Sequence, residues 1–204
     1  LYDEILCALD YGTPQNRERY FLVAVKGNYL YEFPPKMRLK LRLKDLIEKE
    51  INSSLILSEK VPFDLENFVK NKDYTKDSKL VCKNLQDRRR KYVIDLYRFI
   101  DGKNKCGRDT SCKYNQTARL WSMNGYSPTL TANSTEDTSK MIIYRDNCFF
   151  VKKISPLESW RFMGFSDEDF YKAKSIGTSN RQLFKQAGNS IATNVIYYIL
   201  KNLF

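Results

Sequence analysis

The feature that most constrains this chain is the run Tyr20-Phe21-Leu22-Val23-Ala24-Val25, short, apolar and rich in aromatic and branched side chains. Such a run reads as a buried β-strand. A lone strand leaves its backbone N–H and C=O groups unpaired, so neighbours must come from later residues, from another chain or from a region N-terminal to it. Just upstream, Ile5, Leu6 and Leu9 suit the end of a helix, which Tyr11-Gly12-Thr13-Pro14 then breaks.

Beyond the strand the character changes. From Lys26 to about Asn115 the chain is charged and weakly periodic, with a helix expected over Leu43 to Ile51 and another across Arg90 to Ile100. Lys36, Arg38, Lys40, Arg42 and Lys44 alternate with Met37, Leu39, Leu41 and Leu43, and Arg88-Arg89-Arg90-Lys91 form a block. Each cluster is either a solvated face or a set of phosphate contacts. The following stretch is mostly β. Arg119-Leu120-Trp121-Ser122 and Thr129-Leu130-Thr131 flank a turn at Met123-Asn124-Gly125, and Met141 to Tyr144 and Cys148 to Val151 suggest a second hairpin.

Ser155-Pro156-Leu157-Glu158 writes a capping box with Pro at the first helical position, opening a helix that should stop at Gly164. Short helices fit Asp167 to Ala173 and Arg181 to Gln186, with Gly188 as a stop. Ile191, Ala192, Val195, Ile196, Ile199, Leu200 and Leu203 mark one face of a final amphipathic helix.

With 204 residues, one ordinary core carrying a sizeable insertion is the natural expectation. Lys and Arg outnumber Asp and Glu 35 to 24, giving +11, which points to a polyanionic partner, nucleic acid first, or to a generally basic surface. No window approaches a membrane span. The cysteines, Cys7, Cys82, Cys106, Cys112 and Cys148, are odd in number and not closely paired, and the chain has no His. A reduced, intracellular setting without a zinc site is expected.

Gln15, Arg17 and Arg19 stand at alternate positions leading into the strand, and alternate side chains of an extended chain share a face. One amide and two guanidiniums converging there would hold phosphate oxygens or a base carbonyl. Alternatively, the arginines pair with carboxylates such as Glu18. Gly188-Asn189-Ser190 reads as a helix stop followed by a new start capped by Asn189 or Ser190, a role that needs no ligand.

Pro14-Gln15-Asn16-Arg17-Glu18-Arg19 before an apolar strand is similar to the Gln-x-Arg-x-Arg motif of DNA (cytosine-5) methyltransferases. Lys153 to Phe165 resembles the family's next motif, and Gln186-Ala187-Gly188-Asn189-Ser190-Ile191 before a helix resembles its last. Between the first two, Gln116-Thr117-Ala118-Arg119-Leu120-Trp121, the Gly125 turn and Thr129-Leu130 look like part of a target-recognition domain. The resemblance covers nearly the whole chain.

That family's fold is an S-adenosylmethionine-dependent, Rossmann-like α/β domain with an inserted, mixed and mostly β recognition domain. The resemblance implies that residues 1–27 and 178–204 are parts of the catalytic domain and 28–177 the recognition domain. It implies double-stranded DNA as substrate, flipped so that a Cys thiolate adds to C6 of cytosine while C5 takes the methyl group. Arg19 would hold the flipped base near O2, with Arg17 and Gln15 bracing the pocket. Asn189 and Ser190 would reach the S-adenosylmethionine site. Gln116, Arg119, Thr129 and Leu130 would serve DNA, although Gln116 reads equally as an exposed loop residue.

The family's Pro-Cys nucleophile has no counterpart, because Leu6, Val81, Lys105, Ser111 and Asn147 precede the five cysteines. The Phe-x-Gly-x-Gly and Glu-Asn-Val segments are also absent. The expectation is therefore a C-terminal part that needs an N-terminal methyltransferase half, with a non-catalytic DNA-binding module or an RNA methyltransferase of the same fold as alternatives. Exposed apolar surface is expected on the first strand and last helix.

Overall fold

The computed structural model describes residues 1–58, 93–95, 119–123, 125–134, 139–145 and 148–204. They fall into two compact units. The first comprises Leu1–Leu46, Ser127–Asn133 and Pro156–Phe204, and the second Ile47–Tyr126 and Ser134–Ser155. Residues 28–46, 127–133 and 156–177, expected from sequence to belong to the middle region, thus pack in the same unit as the two chain ends.

In the first unit, strand β3 (Glu18–Val23) forms as expected, and its partner is β1 (Tyr2–Cys7). The pairing is antiparallel, from Tyr2 opposite Val23 to Cys7 opposite Glu18. The segment expected to be a helix end is therefore a strand, since pairing supplies the backbone partners that the apolar run requires. The hairpin is buried on one face only: Leu6 and Val23 lie in the core, while Ile5, Tyr20 and Leu22 are 64%, 61% and 57% exposed. A buried strand is thus the wrong description of Tyr20–Leu22.

Four helices complete this unit: α1 (Pro156–Arg161), α2 (Asp167–Ser175), α3 (Asn180–Asn189) and α4 (Thr193–Lys201). The Ser166 and Ser179 hydroxyls cap α2 and α3 by accepting from Asp169 and Gln182 N–H. The Trp160 indole N–H donates to Leu183 O at 3.0 Å and its ring packs on Phe165 and Phe170. Burying Trp160, Phe162, Phe170, Leu183 and Phe184 contributes about 1.5–3 kcal/mol for each side chain. On α4, Val195 and Ile199 face the core while Tyr197 and Leu200 are exposed.

Two expectations about helices fail here. Leu43 to Ile51 is not a helix but a single 3-10 turn, Leu43–Asp45, because the Asp45 carboxylate accepts from Arg42 N–H and closes the chain locally. Gly188 does not stop α3, which runs to Asn189; Ser190 is its C-terminal cap, and neither residue caps α4, whose N-cap is Ala192. A Cβ at Gly188 would meet Thr131 O at 2.1 Å, so this position sits in a helix for close backbone approach.

The second unit holds a five-stranded sheet built from β4 (Ile56–Ser58), β5 (Val93–Asp95), β6 (Arg119–Ser122), β8 (Lys140–Arg145) and β9 (Cys148–Lys153). The strands stand in the order β4-β9-β8-β6-β5. The β8–β9 hairpin is the one expected. Val93–Asp95 lies within the expected second helix but pairs as a strand with β6, as branched Val93 and Ile94 favour; the rest of that prediction, like Arg88 to Lys91, lies outside the described residues. The hairpin expected between Arg119–Ser122 and Thr129–Thr131 does not form. Strand β6 pairs with β5 and, in parallel, with β8, while Ser127–Pro128 forms the short strand β7 in the first unit. Among the described residues no helix is long and apolar enough to cross a membrane.

The Gly188→Ala variant should lose roughly 1–3 kcal/mol in denaturant unfolding, because the backbone of Thr131 cannot yield as a side chain could. A second prediction concerns α2. Arg161 donates two bonds to the Asp167 carboxylate, at 2.7 and 2.6 Å, which holds that carboxyl below its usual pKa. A depressed acid stabilises above its unfolded pKa and loses the effect as pH falls through the folded value. Asp167→Asn, at a half-exposed site, should cost no more than about 1 kcal/mol at neutral pH, and melting curves of the two proteins should converge in acid.

Candidate functional site

The turn before β3 is unusually tight. Gly12, with φ of 83°, ends the 3-10 turn Ala8–Tyr11. Gln15 N–H then donates to Thr13 O, and Arg17 N–H to Gln15 O, so two three-residue turns follow each other. Pro14 is the centre of the first, where its fixed φ suits the geometry. This coil directs Gln15 and Arg17 into the protein.

Gln15 is fully buried in β2 (Gln15–Asn16), which pairs in parallel with β7. Its amide is satisfied from both sides, with Nε2 donating to Phe162 O at 3.2 Å and Oε1 accepting from Leu130 N–H at 3.4 Å. Arg17 is 4% exposed and donates to Leu130 O, Gly188 O and Ser190 O at 2.7, 2.9 and 2.7 Å. Burial, and secondarily the nearby Arg19 charge, lowers its pKa to about 10, still well above neutrality. The Thr129 hydroxyl donates to Asn16 O at 2.6 Å. Buried Thr13 Oγ1, Ser127 Oγ and Arg17 Nε have no partner among the described residues.

The structure thus joins Gln15, Arg17, Thr129, Leu130 and Ser190 in one cluster. Arg19 is separate: it is exposed, and its guanidinium donates to Glu18 O at 2.6 Å. Gln15, Arg17 and Arg19 therefore do not share a face, because the turn at Arg17 breaks the strand alternation. Neither arginine pairs with a carboxylate among the described residues. Leu130 is 1% exposed, so its side chain belongs to the core.

Asn189 is exposed at the end of α3 with its carboxamide unbonded among the described residues, whereas the Ser190 hydroxyl is used on Ala187 O at 2.7 Å. Arg119 opens β6 in the second unit, opposite Asp95, and Gln116 lies outside the described residues. Sequence reasoning missed Phe162, which acts through its carbonyl and leaves no side-chain signal. It also misread Gly188, whose place inside an otherwise good helical stretch was the available clue. No cluster of three potential metal ligands occurs among the described residues.

Arg17→Leu should cost on the order of 3 kcal/mol or more in denaturant unfolding, since two buried carbonyls and a part-buried one lose their donor. Arg19→Ala, at an exposed position, should stay within about 0.5 kcal/mol of the parent.

The model of the C-5 cytosine-specific DNA methylase family matches residues 1–204. The type II methyltransferase M2.ScrFI of Lactococcus lactis subsp. cremoris is 28% identical over 208 residues, covering 100% of this chain and 45% of the relative. The orphan methyltransferase M.SPBetaI of Bacillus phage SPbeta is 44% identical over 88 residues, covering 43% of this chain and 19% of the phage protein. Among solved structures, the Entamoeba histolytica methyltransferase EhMeth superposes with a TM-score of 0.53 at 13% identity, covering 100% of this chain and 54% of that one. The shared fold is that of an S-adenosylmethionine-dependent methyltransferase, and the chain spans about half the length of the full-coverage relatives. It belongs to the C-5 cytosine-specific DNA methylase family.

Proposed function

We propose that the chain is the C-terminal, target-recognising part of a DNA (cytosine-5) methyltransferase, which acts on duplex DNA together with an N-terminal half that carries the Pro-Cys nucleophile. The carrying observation is the Arg17 cluster. One buried guanidinium bonds backbone carbonyls from the Thr129-Leu130 pair and the Gly188-Asn189-Ser190 turn, so three segments that resemble family motifs are built into one scaffold. A pure DNA-binding module would have no chemical need of Arg19 or Asn189, the two residues that stand exposed beside that scaffold's segments.

On this reading Arg17 and Gln15 are positioning residues, and exposed Arg19 is the group that meets the flipped cytosine. Flipping costs a few kcal/mol, offset by pocket and backbone contacts. A guanidinium at O2 stabilises the negative charge that develops when a thiolate adds to the ring. Thr129 and Leu130 act by fixing the segment that returns from the recognition unit, since Leu130 is in the core and the Thr129 hydroxyl turns inward. Arg119 and Gln116 are the candidates for DNA contact within the second, mostly β unit. S-adenosylmethionine, when bound, supplies the methyl group. Asn189 fits it as an exposed amide able to donate and accept, while Ser190 has its hydroxyl already used.

The test is methyl incorporation into duplex DNA by the chain mixed with a Pro-Cys-bearing half. Incorporation is expected, and Arg19→Ala should reduce it by at least about 100-fold with no change in melting temperature. Undiminished transfer by Arg19→Ala would remove Arg19 from the reaction. DNA binding without transfer in any mixture would favour a non-catalytic module.

A further inference from the structure

We propose that Lys36–Lys44 forms a phosphate-tracking strap, a DNA contact outside the cytosine site and outside the second unit. This rests on the DNA reading above and extends it to a surface with its own signature. The nine residues carry five positive charges and no acid. The strap is pinned at both ends: Met37 N–H donates to Asp10 O at 2.8 Å, and Leu43 is fully buried next to the Arg42–Asp45 turn. Lys36 pairs with Asp10 at 3.6 Å, and Arg42 is half-buried with its guanidinium on Leu41 O. Arg38, Lys40 and Lys44 remain, all exposed and without an ion pair or hydrogen bond among the described residues.

Three features select a nucleic-acid backbone as the partner. The first is charge: exposed cations without an ion pair among the described residues gain by displacing condensed counterions from a polyanion, and of the three only Lys44 has an acid, Asp45, beside it in the chain. The second is spacing. Residues two apart along a chain lie at most about 7 Å from each other, comparable with the through-space separation of neighbouring phosphates on one DNA strand, which is larger than their rise of about 3.4 Å along the axis, so Arg38 and Lys40 suit adjacent phosphates. The third is anchoring, because a backbone held at Met37 and Leu43 loses less freedom on binding than a free basic tail would. The strap makes no base-edge readout, so it positions the duplex without reading sequence.

The test is fluorescence anisotropy of the full chain with several unrelated duplexes over a salt series. The Arg38→Ala/Lys40→Ala/Lys44→Ala variant should weaken binding equally on all sequences and reduce the slope of log K against log salt by about 2.7, at roughly 0.9 for each phosphate no longer neutralised. The charge-preserving Arg38→Lys/Lys40→Arg/Lys44→Arg variant should keep the parental slope. Circular dichroism and melting temperature should match the parent for both. An unchanged slope in the alanine variant, with the parent binding DNA, overturns the strap and leaves the methyltransferase reading intact. A parent chain that binds no duplex at low salt also overturns the strap, while the methyltransferase reading is decided by the mixture with the Pro-Cys-bearing half.

Discussion

A guanidinium is among the costliest groups to take out of water, and this fold is arranged around one that is almost wholly buried. Desolvating Arg17 costs several kcal/mol and pulls its pKa down to about 10. Charge-assisted bonds to three carbonyl groups offset that cost at about 1.5–3 kcal/mol each. Two of those carbonyls, from Gly188 and Ser190, lie at the C-terminal end of α3, where unpaired C=O groups and the helix dipole both favour a cation. The arginine is thus held by fixed backbone dipoles, and no carboxylate is needed.

The rest of the first unit follows from that placement. Ser127–Asn133 has little ladder pairing of its own beyond β7, yet it must be fixed. Gln15 and Arg17 take the N–H and C=O of Leu130, Thr129 returns a bond to Asn16, and α3 presses Gly188 against the backbone of Thr131. Side chains from one turn therefore do what strand pairing does in a sheet. The close approach at Gly188 keeps the α3 carbonyl within reach of Arg17, so the glycine and the arginine are two halves of one constraint.

This explains what was legible in the sequence. Strand β3, the β8–β9 hairpin, and helices α1 and α2 follow from apolar runs, capping residues and turn glycines, all of which act over a few residues. The β1 strand was misread because its conformation is set by a partner some fifteen residues away rather than by its own pattern. Thr129–Thr131 was misread as a strand for a related reason: its backbone groups are taken by Gln15 and Arg17, more than a hundred residues earlier. The site was legible as a set of motifs and illegible as geometry. Alternation placed Gln15, Arg17 and Arg19 on one face, but two successive three-residue turns end the alternation at Arg17.

The separation of Arg17 from Arg19 also bears on what a net charge of +11 can mean. Charge used inside a fold cannot steer or neutralise a polyanion, and Arg17 is committed to backbone carbonyls. Lys36 and Arg161 are partly spent on Asp10 and Asp167. Only exposed cations without partners release counterions, so affinity for a polyanion depends on where they stand rather than on the total. The same residue type therefore does two unlike jobs within three positions: at 17 it makes a scaffold rigid by being buried and bonded to three carbonyls, and at 19 it stays on the surface with most of its donors open among the described residues. Composition cannot distinguish these, but exposure and hydrogen bonding can.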